Sequence, residues 1–341
     1  MKTTRLLGFV ILNLLVLPLS ISLLFAKAPT TSKILFTSTR DGNYEVYIMN
    51  PDGTEQVNLT QHPGADLRAV WSPTGEQILF ISDRDNVRDL YLMDSDGGNV
   101  RRVFKKEAYR GRPAWSPDGK KIAYMHLRWN IDEYPIYTAT LGEQKEKELI
   151  MNAHDPSWSP DGTEILCSYL VRLTIINVRT GKQKQPLSRK VADWQLQPSW
   201  SATGDKIAFT GHKDPPLPPD RKPGDPFPPG WEDKQTIFIV NRDGTGFRQL
   251  VDEAGPKAHY PELSPNGEEV LYTQRVNDRP QIFKLDVNTG VRTQLTDSEG
   301  RPRLGNFGGD WFDPEYALPV EPQPHLLTTT WAKVKIKQNT Q

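Results

Sequence analysis

The sequence predicts an all-β protein built from one antiparallel four-stranded unit that recurs along the chain. The prediction rests on a repeated segment, on glycine-containing turns inside it, and on incomplete copies at both ends. The segment AVWSPTGEQILFISDRD (69–85) returns as PAWSPDGKKIAYMHLR, PSWSPDGTEILCSYLVR, PSWSATGDKIAFTGHK and PELSPNGEEVLYTQR. Self-similarity at such a period is typical of architectures in which each copy is one supersecondary unit.

Each copy begins with a short apolar strand that ends at one anchor residue. The anchor residues are Trp71, Trp115, Trp158, Trp200 and Leu263, with Trp311 in a weaker sixth copy, GGDWFDP. In most copies a Ser-Pro-x-Gly turn follows, in which Pro presets φ and Gly supplies a positive φ. Each copy is therefore predicted to open with a strand–turn–strand hairpin.

Two further strands complete each unit. Segments such as EVYIMN (45–50) and DLYLMD (89–94) have the apolar, β-rich composition of a third strand. Turns such as NPDG (50–53) then lead into a fourth strand. Four short antiparallel strands per repeat are typical of a β-propeller blade.

The two ends of the chain supply complementary fragments of one more blade. Residues 33–60 provide strands two to four without a first strand, and residues 303–313 provide only a first strand. With five complete copies, this arithmetic predicts a six-bladed β-propeller whose closing blade is shared between the N- and C-terminal segments. We expect the propeller to span 30–313, with an insertion at 213–234 and a C-terminal extension at 314–341.

The repeat carries a recognisable motif. STRDGNYEVYIMN (38–50), together with the Ser-Pro-Asp-Gly turns, resembles the WD40-like repeat of the TolB-like β-propeller family. The resemblance covers roughly residues 33–313. TolB itself has a separate domain before its propeller, for which this sequence shows no counterpart, so binding to the TolB partner lipoprotein is not implied.

The composition of the chain narrows the range of possible binding partners. The chain has 42 Lys+Arg and 42 Asp+Glu, and its formal net charge is zero. A protein that follows nucleic-acid phosphates needs a basic face, so we expect no nucleic-acid partner. The single cysteine, Cys167, excludes an internal disulfide and occupies a predicted core position in a second strand.

Residues 1–26 have the form of a secretory signal peptide. Lys2 and Arg5 precede an apolar stretch from Leu6 to Ala26. About 20 apolar residues are also long enough to cross a bilayer, so an uncleaved membrane anchor is the alternative. Both interpretations predict a periplasmic or secreted protein, which would contact the membrane only through this segment and only if the segment is uncleaved.

Blade geometry predicts where a site would lie. First strands line the central channel, and the variable connections between strands two and three and between blades share one face, here called the channel mouth. Binding residues concentrate on such loops. At the start of the first strands we identify these ligand-binding candidates: Arg68, Arg112, His154, Asp155, Gln197, His259 and Tyr260.

Two of these candidates raise the question of a metal. His154 and His259 occupy equivalent positions two blades apart, which suggests a divalent metal ion or an anionic ligand. The alternative is that they are polar residues of a water-lined channel. Two histidines with Asp155 fall short of a defined ligand set. The sequence therefore predicts no definite cofactor, and a divalent metal ion is the one candidate.

The insertion in blade four is a candidate docking arm. GHKDPPLPPDRKPGDPFPPGWEDKQ (211–235) contains eight prolines and is predicted to be an extended loop on the channel mouth. It is interpreted as a lid or partner-docking arm, or as a solvated insertion. Trp231, His212 and Trp129 are the candidate partner-binding residues.

Together these features predict an exported binding module, expected to be monomeric, for a protein or carbohydrate partner in the cell envelope. One alternative is a metal-assisted carbohydrate-active enzyme, a lyase or hydrolase, using His154, His259 and Arg68 or Arg112. Oligogalacturonate lyases, which have a related propeller, hold a metal at such a mouth. The other alternative is a structural envelope protein.

Overall fold

The structure is a computed structural model that describes residues 27–127, 133–188, 190–192, 194–212, 230, 232–252, 255–297 and 305–319. Within these residues, 24 strands form six four-stranded sheets, and one 3-10 turn spans Glu232–Lys234. The predicted all-β class is therefore confirmed.

The six sheets are the predicted blades, each antiparallel throughout. Blade one contains β4 (Asp66–Trp71), β5 (Gln77–Ser82), β6 (Asp89–Asp94) and β7 (Arg101–Arg102). Blade two contains β8 (Arg110–Trp115), β9 (Lys121–His126), β10 (Ile136–Thr140) and β11 (Glu146–Ile150). Blade three contains β12 (Ala153–Trp158), β13 (Glu164–Tyr169), β14 (Arg172–Asn177) and β15 (Gln183–Lys184).

The remaining blades follow the same order. Blade four contains β16 (Trp194–Trp200), β17 (Lys206–His212), β18 (Thr236–Asn241) and β19 (Arg248–Gln249). Blade five contains β20 (Ala258–Leu263), β21 (Glu269–Val276), β22 (Arg279–Asp286) and β23 (Arg292–Gln294). The closing blade, blade six, contains β24 (Asn306–Phe312), β1 (Lys33–Ser38), β2 (Glu45–Met49) and β3 (Val57–Asn58).

The ring closes through the two chain ends. Strand β24 pairs antiparallel with β1, so that Trp311 lies opposite Ile34. Each of the six inner strands contacts the inner strands of both neighbouring blades, β24 and β4 included. The predicted sharing of the closing blade is therefore confirmed, and it pairs two strand edges that would otherwise be open.

The hydrophobic core lies between the faces of neighbouring blades. Leu35 and Phe312 of blade six share one cluster with Trp71 and Phe80 of blade one. The Trp71 and Phe312 rings are 5.3 Å apart, and Trp71 is only 6% exposed. The repeated anchor residue therefore fills the gap between blades, where burying a large ring stabilises the fold.

The STRDGN motif has a structural role in this chain. Arg40 Nε donates a hydrogen bond to Ser38 Oγ at 3.0 Å, and its guanidinium lies 4.6 Å from the Tyr47 ring centroid. The Tyr47 hydroxyl donates to the Asp41 carboxylate. Residues 82–91 repeat these contacts in blade one. The motif thus ties the second strand of a blade to the third.

Several predicted features lie outside the described residues: the segment 1–26, Trp129, Trp231, most of the insertion at 213–234 and the extension beyond 319. Among the residues that the structure does describe, no helix is long and apolar enough to cross a membrane.

Candidate binding site in the central channel

Every inner strand contains a β-bulge at the same position. In blade one, the register between β4 and β5 shifts between Leu67 and Val70, and the other five blades shift at the equivalent place. One bulge residue per blade has a positive φ, between 52° and 64°: Arg68, Arg112, Asp155, Gln197, Tyr260 and Gly308. Five of these are not glycine, so this conformation needs support from the surrounding structure.

That support comes from the preceding blade. The backbone N–H of Arg68 donates to Thr37 Oγ1 at 3.1 Å, and that of Gly308 donates to Thr273 Oγ1 at 2.9 Å. The N–H of Tyr260 donates to Gln197 Oε1, also at 2.9 Å. Because side chains of the neighbouring blade satisfy these amides, the strained backbone is stabilised whatever side chain the bulge residue carries.

The bulge side chains meet in one cavity of about 410 Å³ in the central channel. Such a volume is within the range of small-molecule sites. Five predicted candidates line it: Arg68, Arg112, Asp155, Gln197 and Tyr260. The structure therefore brings these five residues together, from five different blades.

Arg68, Arg112 and Tyr260 form a cluster across the cavity. The Arg68 guanidinium lies 4.3 Å from the centroid of the Tyr260 ring, and both residues line the cavity. Burial alone would raise the pKa of Tyr260, but the charges of Arg68 and Arg112 outweigh burial and lower it. Burial and the charge of Arg68 lower the pKa of Arg112 to about 10.

The two arginines differ in their counter-ions. Arg112 forms an ion pair with Asp155 of the next blade. Arg68 forms no ion pair with any carboxylate of the described residues. Since a charge in a desolvated site is costly without a partner, Arg68 is the member of the cluster best placed to take a ligand.

The structure also shows a pair of carboxyl groups that sequence reasoning missed. Burial and the charge of Asp310 raise the pKa of Glu262 well above its usual value. Burial raises the pKa of Asp310 to about 7, although Asp310 Oδ2 accepts the backbone N–H of Trp71 at 2.6 Å. The sequence did contain a signal for this pair, because the residue before the anchor residue is acidic in two adjacent blades, five and six.

His154 and His259 are not among the residues that line the cavity. The Nδ1 atom of His154 lies 3.3 Å from Met125 Sδ, and burial followed by the Arg112 charge lowers its pKa to about 4. The His259 ring packs edge-on against Tyr260 at 4.6 Å. Burial, with nearby cationic charges, lowers the pKa of His259 to about 3. Both imidazoles are therefore neutral at neutral pH.

The predicted metal site lacks a full set of ligands. Across the part of the chain that the structure describes, no group of three or more His, Cys, Asp or Glu side chains could hold a metal ion. Protein metal sites of this kind use at least three such ligands. A metal at His154 and His259 stays a prediction.

Of the candidate partner-binding residues, His212 alone is described. It ends β17, is fully buried, and packs with its ring 6.2 Å from that of Trp194. The His212 side chain is buried, and its role in partner binding stays a prediction.

Comparison with known proteins supports the fold assignment. A family model described as "TolB beta propeller domain" matches residues 25–204. TolB from Acinetobacter baumannii superposes with a TM-score of 0.66 at 18% identity, covering 82% of this chain and 66% of that one. A putative TolB from Agrobacterium tumefaciens gives 0.59 at 19% identity, covering 78% and 89%.

An enzyme shares the architecture as well. An oligogalacturonate lyase in complex with manganese superposes with a TM-score of 0.54 at 13% identity, covering 81% of this chain and 77% of that one. No curated protein sequence matches the chain. Structural likeness at such identities demonstrates a common fold, and propellers with this fold serve different functions.

Proposed function

Because the chain belongs to the TolB β-propeller domain family, we propose that it is a binding module that recognises a protein or other envelope ligand at the channel mouth. The proposal rests chiefly on the channel cavity, into which five blades each direct one polar side chain. Residues 1–26 would direct export to the periplasm or beyond, or hold the protein at the membrane.

The construction of the cavity supports recognition. Hydrogen bonds from the preceding blade hold the bulge backbone at Arg68, Tyr260 and Gly308; the acceptor is a threonine hydroxyl for Arg68 and Gly308, and the bulge side chain of Gln197 for Tyr260. Side-chain chemistry can therefore differ from blade to blade while the scaffold stays rigid. Rigid scaffolds with variable side chains at one face are typical of binding sites.

The rim of the cavity has the composition of a contact surface. Tyr44 is 44% exposed and packs against Phe307, with ring centroids 6.0 Å apart. Arg88 is exposed and, like Tyr44 and Phe307, lines the cavity. Aromatic residues and arginine are enriched in protein interfaces, where they contribute most of the binding energy.

Affinity capture with paired variants tests this function. The full chain, expressed in its host, would be captured as wild type, as Tyr44→Ala/Arg88→Ala at the rim, and as Val291→Ala/Arg101→Ala away from it. The control pair likewise removes one exposed apolar side chain and one arginine. We expect a specific partner on wild type and control that is lost from the rim variant. An identical set of bound molecules on all three would refute recognition at this face.

A further inference from the structure

The charges around the cavity do not balance. Its lining includes three arginines and three carboxyl groups: Arg68, Arg88, Arg112, Asp155, Glu262 and Asp310. The Arg112 and Asp155 charges neutralise each other in an ion pair. Glu262 and Asp310 repel each other in a buried setting, so that the pair retains a proton near neutral pH. Two arginine charges therefore face about one carboxylate charge.

One of these two unpaired charges, that of Arg68, acts on the guanidinium group of Arg112. Arg68 and Arg112 both approach Tyr260, and their charges act on its hydroxyl and on each other. Two guanidinium groups that share one phenol in a desolvated cavity repel each other. An anion placed between them would be stabilised by both and would remove that repulsion.

We propose that the cavity binds the carboxylate group of a ligand between the guanidinium groups of Arg68 and Arg112, with the Tyr260 hydroxyl as a third donor. This inference rests on the proposed function and names its ligand class. The planar fork of a guanidinium matches a carboxylate geometrically. One unit of excess charge suits a monoanion better than a doubly charged phosphate. The remainder of the ligand would lie against Tyr44 and Phe307 at the rim.

Carboxylate-containing probes and their neutral counterparts test the ligand class. The full chain, purified from the envelope of expressing cells, would be titrated with glucuronate against glucose, and with an N-acetylated dipeptide acid against its amide, using calorimetry. We expect binding of at least one acid and none of its neutral counterpart. Binding of glucuronate alone assigns a saccharide source, binding of the peptide alone assigns a chain end, and both support the carboxylate site. No binding of either acid at about 10 mM overturns the proposal.

Variants tie the binding to the cluster. Arg68→Met should weaken binding of the acid at least about tenfold, because one charged hydrogen-bond donor is lost. Arg68→Lys, which keeps the charge without the fork, should fall between Met and wild type. Arg101→Met, on the outer strand β7 of the same blade, is the matched control and should bind like wild type. Equal affinity of Arg68→Met and Arg101→Met would refute the assignment.

A second variant tests whether misfolding, and not the loss of a ligand contact, causes the weaker binding. Tyr260→Phe keeps the ring under Arg68 and removes only the hydroxyl, so binding should weaken severalfold with an unchanged thermal midpoint. Unchanged binding by this variant would remove Tyr260 from the site. The two proposals fail separately: partner capture that depends on Tyr44 and Arg88, without binding of any acid, would overturn the carboxylate ligand and leave the binding module in place.

Discussion

Replacing Asp310 with Asn is expected to stabilise the protein, and to do so more at pH 8 than at pH 5. Asp310 lies in the channel wall beside Glu262, where burial raises its pKa to about 7. Asn is close to Asp in shape, and its Oδ1 can still accept the N–H of Trp71. Its amide group can donate to Glu262, so the variant removes a buried charge without leaving the Trp71 amide unpaired.

The sign and size of the effect follow from linkage between proton binding and folding. A carboxyl group whose pKa is higher in the folded chain takes up a proton on folding. The free-energy cost that its ionisation imposes on the folded state is therefore absent below about pH 4 and grows until about pH 7. For a rise from the ordinary value of 3.8 to about 7, the full cost is about 4 kcal/mol, of which about 1–2 kcal/mol is present at pH 5. The advantage of Asn should therefore grow by about 2–3 kcal/mol between pH 5 and pH 8.

Urea unfolding followed by tryptophan fluorescence at pH 5, 6, 7 and 8 measures this difference. Asp313→Asn is the matched control, because Asp313 lies just beyond the same strand and accepts the N–H of Glu315 away from the cavity. This variant makes the same Asp-to-Asn change outside the cavity and so controls for the substitution itself. If the Asp310→Asn curve runs parallel to wild type, Asp310 ionises freely in the folded protein and the reasoning fails.

Three further predictions concern the scaffold. Arg110 is 1% exposed and forms ion pairs with Asp89 of blade one and Glu146 of blade two. Arg110→Met leaves both carboxylates without this partner and should lower the free energy of unfolding by about 3–5 kcal/mol. An unchanged urea midpoint would contradict this. Gly75→Ala places a methyl group against the Phe312 ring, closer than van der Waals contact, and should cost about 1–3 kcal/mol more than Gly142→Ala, whose φ is also positive but whose surroundings are open; equal thermal midpoints would refute the clash. Burial raises the pKa of Cys167 to about 12, so a thiol reagent at pH 8 should label it only after unfolding, and rapid labelling of the native protein would count against this.

Much of the fold could be predicted because each blade repeats one local pattern. The Ser-Pro-x-Gly turn and the anchor residue are neighbours in sequence, and the turn glycine adopts the expected positive φ, as Gly75 does at 72°. Counting from the anchor also placed Arg68, Arg112, Asp155, Gln197 and Tyr260 at one level, and all five line the cavity. Equivalent positions in a ring of similar blades point to the same axis.

The backbone at these positions could not be predicted. Arginine, glutamine and tyrosine give no signal of a positive φ, and aspartate gives only a weak one, because sequence reasoning assigns that conformation chiefly to glycine. The conformation is stabilised by contacts from another blade, as where Thr37 of β1 accepts the N–H of Arg68 of β4. The same limit applies to His154 and His259, whose level was predictable but whose packing outside the cavity lining was not.

By itself, the sequence determined the repeating blade, the number of blades and the level at which polar side chains enter the channel, since these depend on neighbours within one repeat. Only the tertiary structure decided which side chains meet. Arg68 of blade one reaches Tyr260 of blade five, and Glu262 of blade five interacts with Asp310 of blade six, only when the ring of blades is closed. The physical cause is that charge interactions act through space across the channel, between residues that the chain separates by whole blades.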